Sequence, residues 1–268
     1  MVEGHSQNAQ KENRLVPIIL FVAILGYGFG FALRTDDDSN TQQKPTAGPG
    51  YTEPLPSIGP ENAPVVLIEV GDLRCIYCMK RNALVKRVMV EHEEDIQLIF
   101  KHFPFVSPQY SERGSIAAMA AQRQHRFWDY VDYLYLHRKE RWSDTRLTEY
   151  AEDLGLDTAQ FASALTDPSL ASYVRLDRAA AETLNIRATP TLLVNGMVVP
   201  NWANASDVRK MIRTSQNEVA ALIKSGQATD NVEARAIIAA KNHPAGETFA
   251  RRYMLHDVSD LGETLMSQ

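Results

Sequence analysis

Cysteine is nearly absent: the 268-residue chain has two, Cys75 and Cys78. Two are too few for a disulfide-stapled scaffold, and two sulfurs alone cannot close a four-ligand structural zinc site. Basic runs are missing too. No cluster of Lys and Arg exceeds a pair such as Arg251-Arg252, and the formal charge is −5. A phosphate-binding surface is therefore excluded, and nucleic acid with it as a partner. The seven histidines are scattered and none sits beside the cysteines, so no His-assisted metal site and no cofactor are expected. No internal repeat is present.

What is there begins with an apolar N-terminal run. A polar start over residues 1–14 ends in Lys-Glu-Asn-Arg, and from Leu15 to Leu33 about 19 residues pass without a charge. That is close to the ~20 needed for a helix to cross a bilayer, so the run reads as a transmembrane anchor. A cleaved signal peptide is the competing reading, but no A-x-A site follows and the run is long for one. Positive charges flank it almost evenly, so orientation is not set by them. Residues 34–60 are polar and rich in Pro and Gly, a composition that cannot bury enough apolar surface to order itself, and are expected to be a flexible linker. The remainder, with 44% hydrophobic and 23% charged residues over the whole chain, suffices for a globular core.

The run APVVLIEVGD, residues 63–72, is rich in Val and Ile and predicts a buried strand. From Cys75 to about Glu91, apolar residues recur at helical spacing. Residues 95–105 predict a second strand. A helical stretch from about Ser111 to Ile186 follows, broken near 141–144, 155–157 and 167–168. Asn195-Gly196 marks a hairpin between two short strands, and residues 204–226 a capped amphipathic helix. Within the stretch, Phe127, Val131 and Leu134 are spaced as the core face of a helix, and residues 91–95 read as a solvated helix end. The pattern implies a split α/β domain over 61–228 with an all-helical insertion at about 108–186 that buries its own apolar faces. Residues 229–268 form a C-terminal extension of unassigned role.

Random placement would put two cysteines three apart on the order of one time in a hundred. Three apart on a helix, the two thiols share a face and lie within reach of a disulfide. At the strand-to-helix junction Cys75 meets the positive end of the helix dipole, which favours a thiolate; Cys75 is the expected nucleophile and Cys78 the resolving thiol. A Cu(I) site of Cys75, Cys78 and Met79 is the soft-ligand alternative.

The segments APVVLIEVGDLRCIYCMK, LIFKHFPF, RFWDYVDYLY and ATPTLLVNG occur in the order found in DsbA-like thiol-disulfide oxidoreductases, and the chain resembles that family from about Ile58 to Gly226. The resemblance implies a thioredoxin-like fold with a helical insertion. It implies a cis-proline at Pro190, with Thr189 before it pairing with substrate, and a buried Glu69 that relays the Cys78 proton. The bland alternative leaves Glu69 at a solvent-facing strand edge and Asp72 capping the helix. Ile76-Tyr77 stands where the family's oxidants often carry Pro-His. Tyr77 with Thr189 is similar to the periplasmic isomerases DsbC and DsbG, and Leu73 and Asn82 occupy positions usually aromatic. Thr189, Pro190, Ile76 and Tyr77 are the residues expected to meet substrate.

The expected function is a membrane-anchored, extracytoplasmic thiol-disulfide oxidoreductase acting on protein thiols and disulfides with a membrane redox partner. An oxidising compartment also accounts for the absence of further cysteines. A non-catalytic subunit of a membrane complex is the reading from another class; a copper-handling chaperone is a third.

Overall fold

The computed structural model describes residues 53–249. The expected membrane span at 15–33 and most of the 34–60 linker lie outside the described residues. Among those described, no helix is long and apolar enough to cross a membrane.

The first element corrects the linker. Strand β1 (Ser57–Ile58) pairs antiparallel with the sheet, Leu55 is buried, and Glu53 forms an ion pair with Arg123. Pro and Gly were misleading here because the segment borrows its order from the edge of a finished sheet. Strand β2 (Val65–Gly71) has every residue buried, as a strand covered on both faces must. Helix α1 (Ile76–Val90) returns the chain to β3 (Ile96–His102), which runs parallel to β2 with Val65 opposite Ile96 and Gly71 opposite His102.

The insertion follows as α2 (Pro108–Gln122), α3 (Phe127–Leu136), α4 (Asp144–Asp153), α5 (Thr158–Leu165) and α6 (Pro168–Thr183). Side chains of Ser143, Asp157 and Asp167 cap the last three, satisfying amides that the first turn leaves unpaired. The break between α2 and α3 has no Gly or Pro; His125 takes it at φ 58°. Helix α2 is buried nearly all round because its residues are small. A methyl added at Gly114 would sit 2.4 Å from the Trp142 ring.

The sheet resumes with β4 (Thr191–Val194), antiparallel to β2, and β5 (Met197–Val199), giving the order β1-β3-β2-β4-β5. Asn195 and Gly196 turn the hairpin at φ 41° and 83°, and the Asn195 side chain clasps β2 through Val66 N at 2.7 Å and Pro64 O at 3.0 Å. Helix α7 (Ala205–Lys224) begins with a capping box of Asn204 and Asp207. Helices α8 (Asn231–Asn242) and α9 (Gly246–Phe249) complete the described chain.

Alternation along β2 sorts the core. Val65 and Leu67 pack with Val85 and Val88 of α1 and Val208 and Ile212 of α7; Val66, Ile68 and Val70 join one cluster with α2 to α6. The insertion therefore has no separate core, contrary to expectation: its apolar faces are completed by the sheet. Residues 91–95 form the solvated end of α1, as expected, and there Glu91 pairs with Arg209 through both oxygens at 2.5 and 2.6 Å.

Candidate active site at Cys75 and Cys78

Cys75 is the N-cap of α1, in extended conformation, and its sulfur accepts the Cys78 amide at 3.3 Å. Its own amide donates to the Asp72 carbonyl at 3.1 Å, and its carbonyl starts the helix by accepting from Met79 N. Across the cleft lies the Thr189-Pro190 bond, which is cis, with the Thr189 carbonyl oxygen 4.0 Å from Cys75 Sγ. Both thiols are free.

Their environments differ in sign. A hydrogen bond from the Cys78 thiol, opposed by partial burial and aided by the Cys78 and Tyr77 amides, lowers the Cys75 pKa to about 6. Burial and then the Cys75 sulfur raise that of Cys78 far above its ordinary value. At neutral pH one sulfur is a thiolate at a helix N-terminus and the other holds its proton. A thiolate beside a protonated, buried thiol is an arrangement that can support thiol exchange.

Glu69 is fully buried beneath α1, so the solvent-edge reading is wrong. Burial pushes its pKa up to about 7, and the Asn82 side chain, donating to Oε2 at 3.0 Å, pulls it partly back. Its other oxygen and the Tyr135 hydroxyl lie buried without a hydrogen-bond partner among the described residues. Tyr135, whose pKa burial raises, feels Glu69 and then Cys78 as its strongest neighbouring charges. A carboxyl that titrates near neutrality can take up and return a proton, and Tyr135 is the group that senses both Glu69 and Cys78.

Asp72 does not cap α1. Its buried carboxylate accepts from Arg74 N at 2.7 Å, from Phe105 N and Val106 N at 2.6 Å each, and from Ser111 Oγ at 2.9 Å, while its amide donates to Cys78 Sγ at 3.4 Å. One side chain thus ties the cysteine loop to the β3–α2 loop. This clasp was not legible in the sequence beyond one signal, an Asp directly after the last residue of a central strand.

Two grooves flank Cys75. One, of about 570 Å³, lies between Tyr77 and Leu84 of α1, Thr189-Pro190, and Trp202. Arg81 shapes its floor by donating to the carbonyls of Pro200, Asn201 and Ala203 at 2.9 to 3.4 Å. The other, of about 670 Å³, runs between Cys75, Ile76 and Tyr77 and the loops bearing Val106 and Lys139. Tyr77 is 67% exposed and Trp202 79%; the tryptophan, unremarked in the sequence, places the larger apolar surface beside Pro190. Ile76 is half-buried. Met79 is no third ligand here: its sulfur accepts from the Arg138 guanidinium at 3.7 Å, a cation where a copper site would need electron donors.

The chain matches the thioredoxin family over residues 52–214. The Na(+)/H(+) antiporter NhaA 3 of Salinispora tropica is 34% identical over 140 residues, covering 52% of this chain and 21% of that protein. The chain spans only 21 to 32% of the length of the first curated relatives it matches. The oxidised BdbD of Bacillus subtilis superposes with a TM-score of 0.56 at 22% identity, covering 65% of this chain and 99% of that one. A thioredoxin-like oxidoreductase from Silicibacter pomeroyi gives 0.53 at 22% identity, covering 61% and 92%. At such identity the likeness is one of fold: thioredoxin-like α/β with a helical insertion.

Proposed function

The chain belongs to the thioredoxin family, and on that premise we propose that it exchanges thiols and disulfides in protein substrates through Cys75 and Cys78, held at a membrane by residues 15–33 with its catalytic domain on the extracytoplasmic side. The observation that carries the reading is the opposed tuning of the two sulfurs, one lowered to about 6 and the other raised by burial.

In the oxidising direction, substrate thiolate attacks the Cys75 sulfur of the protein disulfide, giving a mixed disulfide and a Cys78 thiolate. Glu69 supplies the proton that Cys78 then holds. A second substrate thiolate attacks the substrate sulfur of the mixed disulfide, and Cys75 leaves as the thiolate its site stabilises. Two electrons pass from substrate to the protein, one disulfide is made and one broken. The backbone at Thr189, beside the cis bond to Pro190, and the apolar surfaces of Tyr77 and Trp202 hold the substrate chain. The reduced pair then returns its electrons to a second redox protein, for which a membrane-held partner is the natural choice.

A pKa near 6 lies between the ~7 of thioredoxin and the ~3.5 of a strong oxidant. The reduction potential is expected between roughly −270 and −120 mV; a value below that range would point instead to a disulfide that never turns over. The decisive experiment is trapping. Cys78→Ser in the full chain should accumulate mixed disulfides with cellular proteins through Cys75, and Cys75→Ser should form none; equal yields from both would sink the assignment. Orientation is tested by a periplasm-active reporter fused after Gly226, expected to be active.

A further inference from the structure

The charge around Cys75 is opposite to that of the chain. The protein carries a formal −5, yet neither groove beside the thiol is lined by any Asp or Glu. Lys80 and Arg81 line one; Arg74, Arg138 and Lys139 line the other. Several cations elsewhere are matched by carboxylates: Lys86 with Asp132, Arg113 with Asp144, Arg126 with Asp129, Arg209 with Glu91.

The arginines at the grooves are held by neutral groups instead. Arg81 donates to loop carbonyls. Arg74 donates to the Glu140 carbonyl at 2.7 Å and lies over the Tyr110 and Trp142 rings at 5.2 and 4.9 Å from their centroids. Arg138 donates to the Tyr135 carbonyl and to Met79 sulfur. Carbonyls and rings fix a guanidinium without cancelling its charge. The carboxylates close in sequence are occupied: Asp72 is buried under four donors, and Glu140 is taken by His137 and Tyr150 at 2.6 and 2.7 Å.

We propose that the Cys75 face selects acidic polypeptides, clients whose reacting cysteine is flanked by Asp and Glu. The inference rests on the thiol-exchange reading and adds the substrate class. A client strand laid along Thr189 reaches both grooves, since they meet at Tyr77. Its carboxylates would face fixed cations on either side of the reacting sulfur. Such a field acts over about a Debye length, raises encounter rate, and weakens with salt.

The test uses the reduced full chain and three synthetic peptides of one length, each with a single cysteine carried as its methyl disulfide and flanked by Glu, Ser or Lys. Cys75 attacks the peptide disulfide and displaces one thiolate, and Cys78 then attacks the Cys75 sulfur of the mixed disulfide, releasing the second thiol and closing the protein disulfide, so quenched samples give a second-order rate constant for each peptide. At about 20 mM salt the Glu peptide should react ~10-fold or more faster than the Lys peptide, and at about 1 M salt the ratio should approach one. In the Lys80→Glu/Lys139→Glu variant the order should invert. Equal rates at low salt, or a faster Lys peptide, overturn the charge selection and leave thiol exchange standing. Failure of Cys75 to react with any of the three overturns the thiol-exchange reading itself.

Discussion

Glu69 shows what burial does to one carboxyl. Its ordinary pKa of 4.5 rises to about 7 because no solvent reaches the ionised form. Below about 4.5 both folded and unfolded chains keep the proton. Between the two values the unfolded chain releases a proton that the folded one retains, so stability falls as pH rises through this window and levels off above about 7. Glu69→Gln keeps the shape and removes the charge. Relative to the parent it should gain on the order of 3 kcal/mol between pH 4 and pH 8, read from urea midpoints. Taking the difference cancels the opposite trend from reduced Cys75, lowered from 9.0 to about 6, whose contribution grows with pH between those values. The same variant should slow the Cys78 step and spare the first attack by Cys75. That Glu69 is acidic and sits on a strand before the cysteines was legible in the sequence. That Asn82 donates to it was not, because the partners lie 13 residues apart on different elements.

At the scale of elements, the insertion is fastened to the sheet by charge as well as by packing. Lys101 of β3 and Asp177 of α6 form a fully buried ion pair at 3.0 Å, and the other Asp177 oxygen accepts the His102 amide at 2.9 Å. Asp177→Ala leaves the Lys101 ammonium buried without its carboxylate and should cost about 3–5 kcal/mol by urea unfolding. The double variant Lys101→Met/Asp177→Leu should recover most of the loss, since an apolar pair of similar volume avoids both desolvation penalties. If the double variant is as unstable as the single, the cost lies in the His102 amide bond instead. Helix starts in the insertion were readable because Ser143, Asp157 and Asp167 announce themselves by type. The α2–α3 break was hidden, since nothing about His125 alone demands a left-handed backbone.

At the scale of the molecule, the C-terminal part acts as a cap. Arg235 donates to the Ala63 carbonyl at 2.9 Å and Asn231 to that of Asn62 at 2.7 Å, just before β2. Ala239 backs the β4–β5 turn so closely that a methyl on Gly196 would stand 2.7 Å from its Cα. Val219, Ala228, Ala234 and Ile238 form a small core of their own between α7 and α8. Removing residues 229–268 should therefore lower the Tm by about 5–10 °C, measured by thermal unfolding, through the loss of a few kcal/mol of burial and hydrogen bonding. An unchanged Tm would show instead that the extension rides on the domain without supporting it.

The chemistry was written locally: two cysteines three apart after an apolar strand carry their own helix start, dipole and reach, and Asn195-Gly196 carries its own turn. Those are short-range effects, decided by residue type and spacing. The rest depended on residues distant in the chain meeting. Asp72 became the clasp of two loops because Phe105, Val106 and Ser111 came to it. β1 ordered because β3 offered an open edge. The positive face around Cys75 arose because Arg74, Lys80 and Lys139, unremarkable singly, converge on two grooves while the carboxylates turn elsewhere. Burial and electrostatic fields are sums over neighbours in space, and a sequence fixes who those neighbours are only once it has folded.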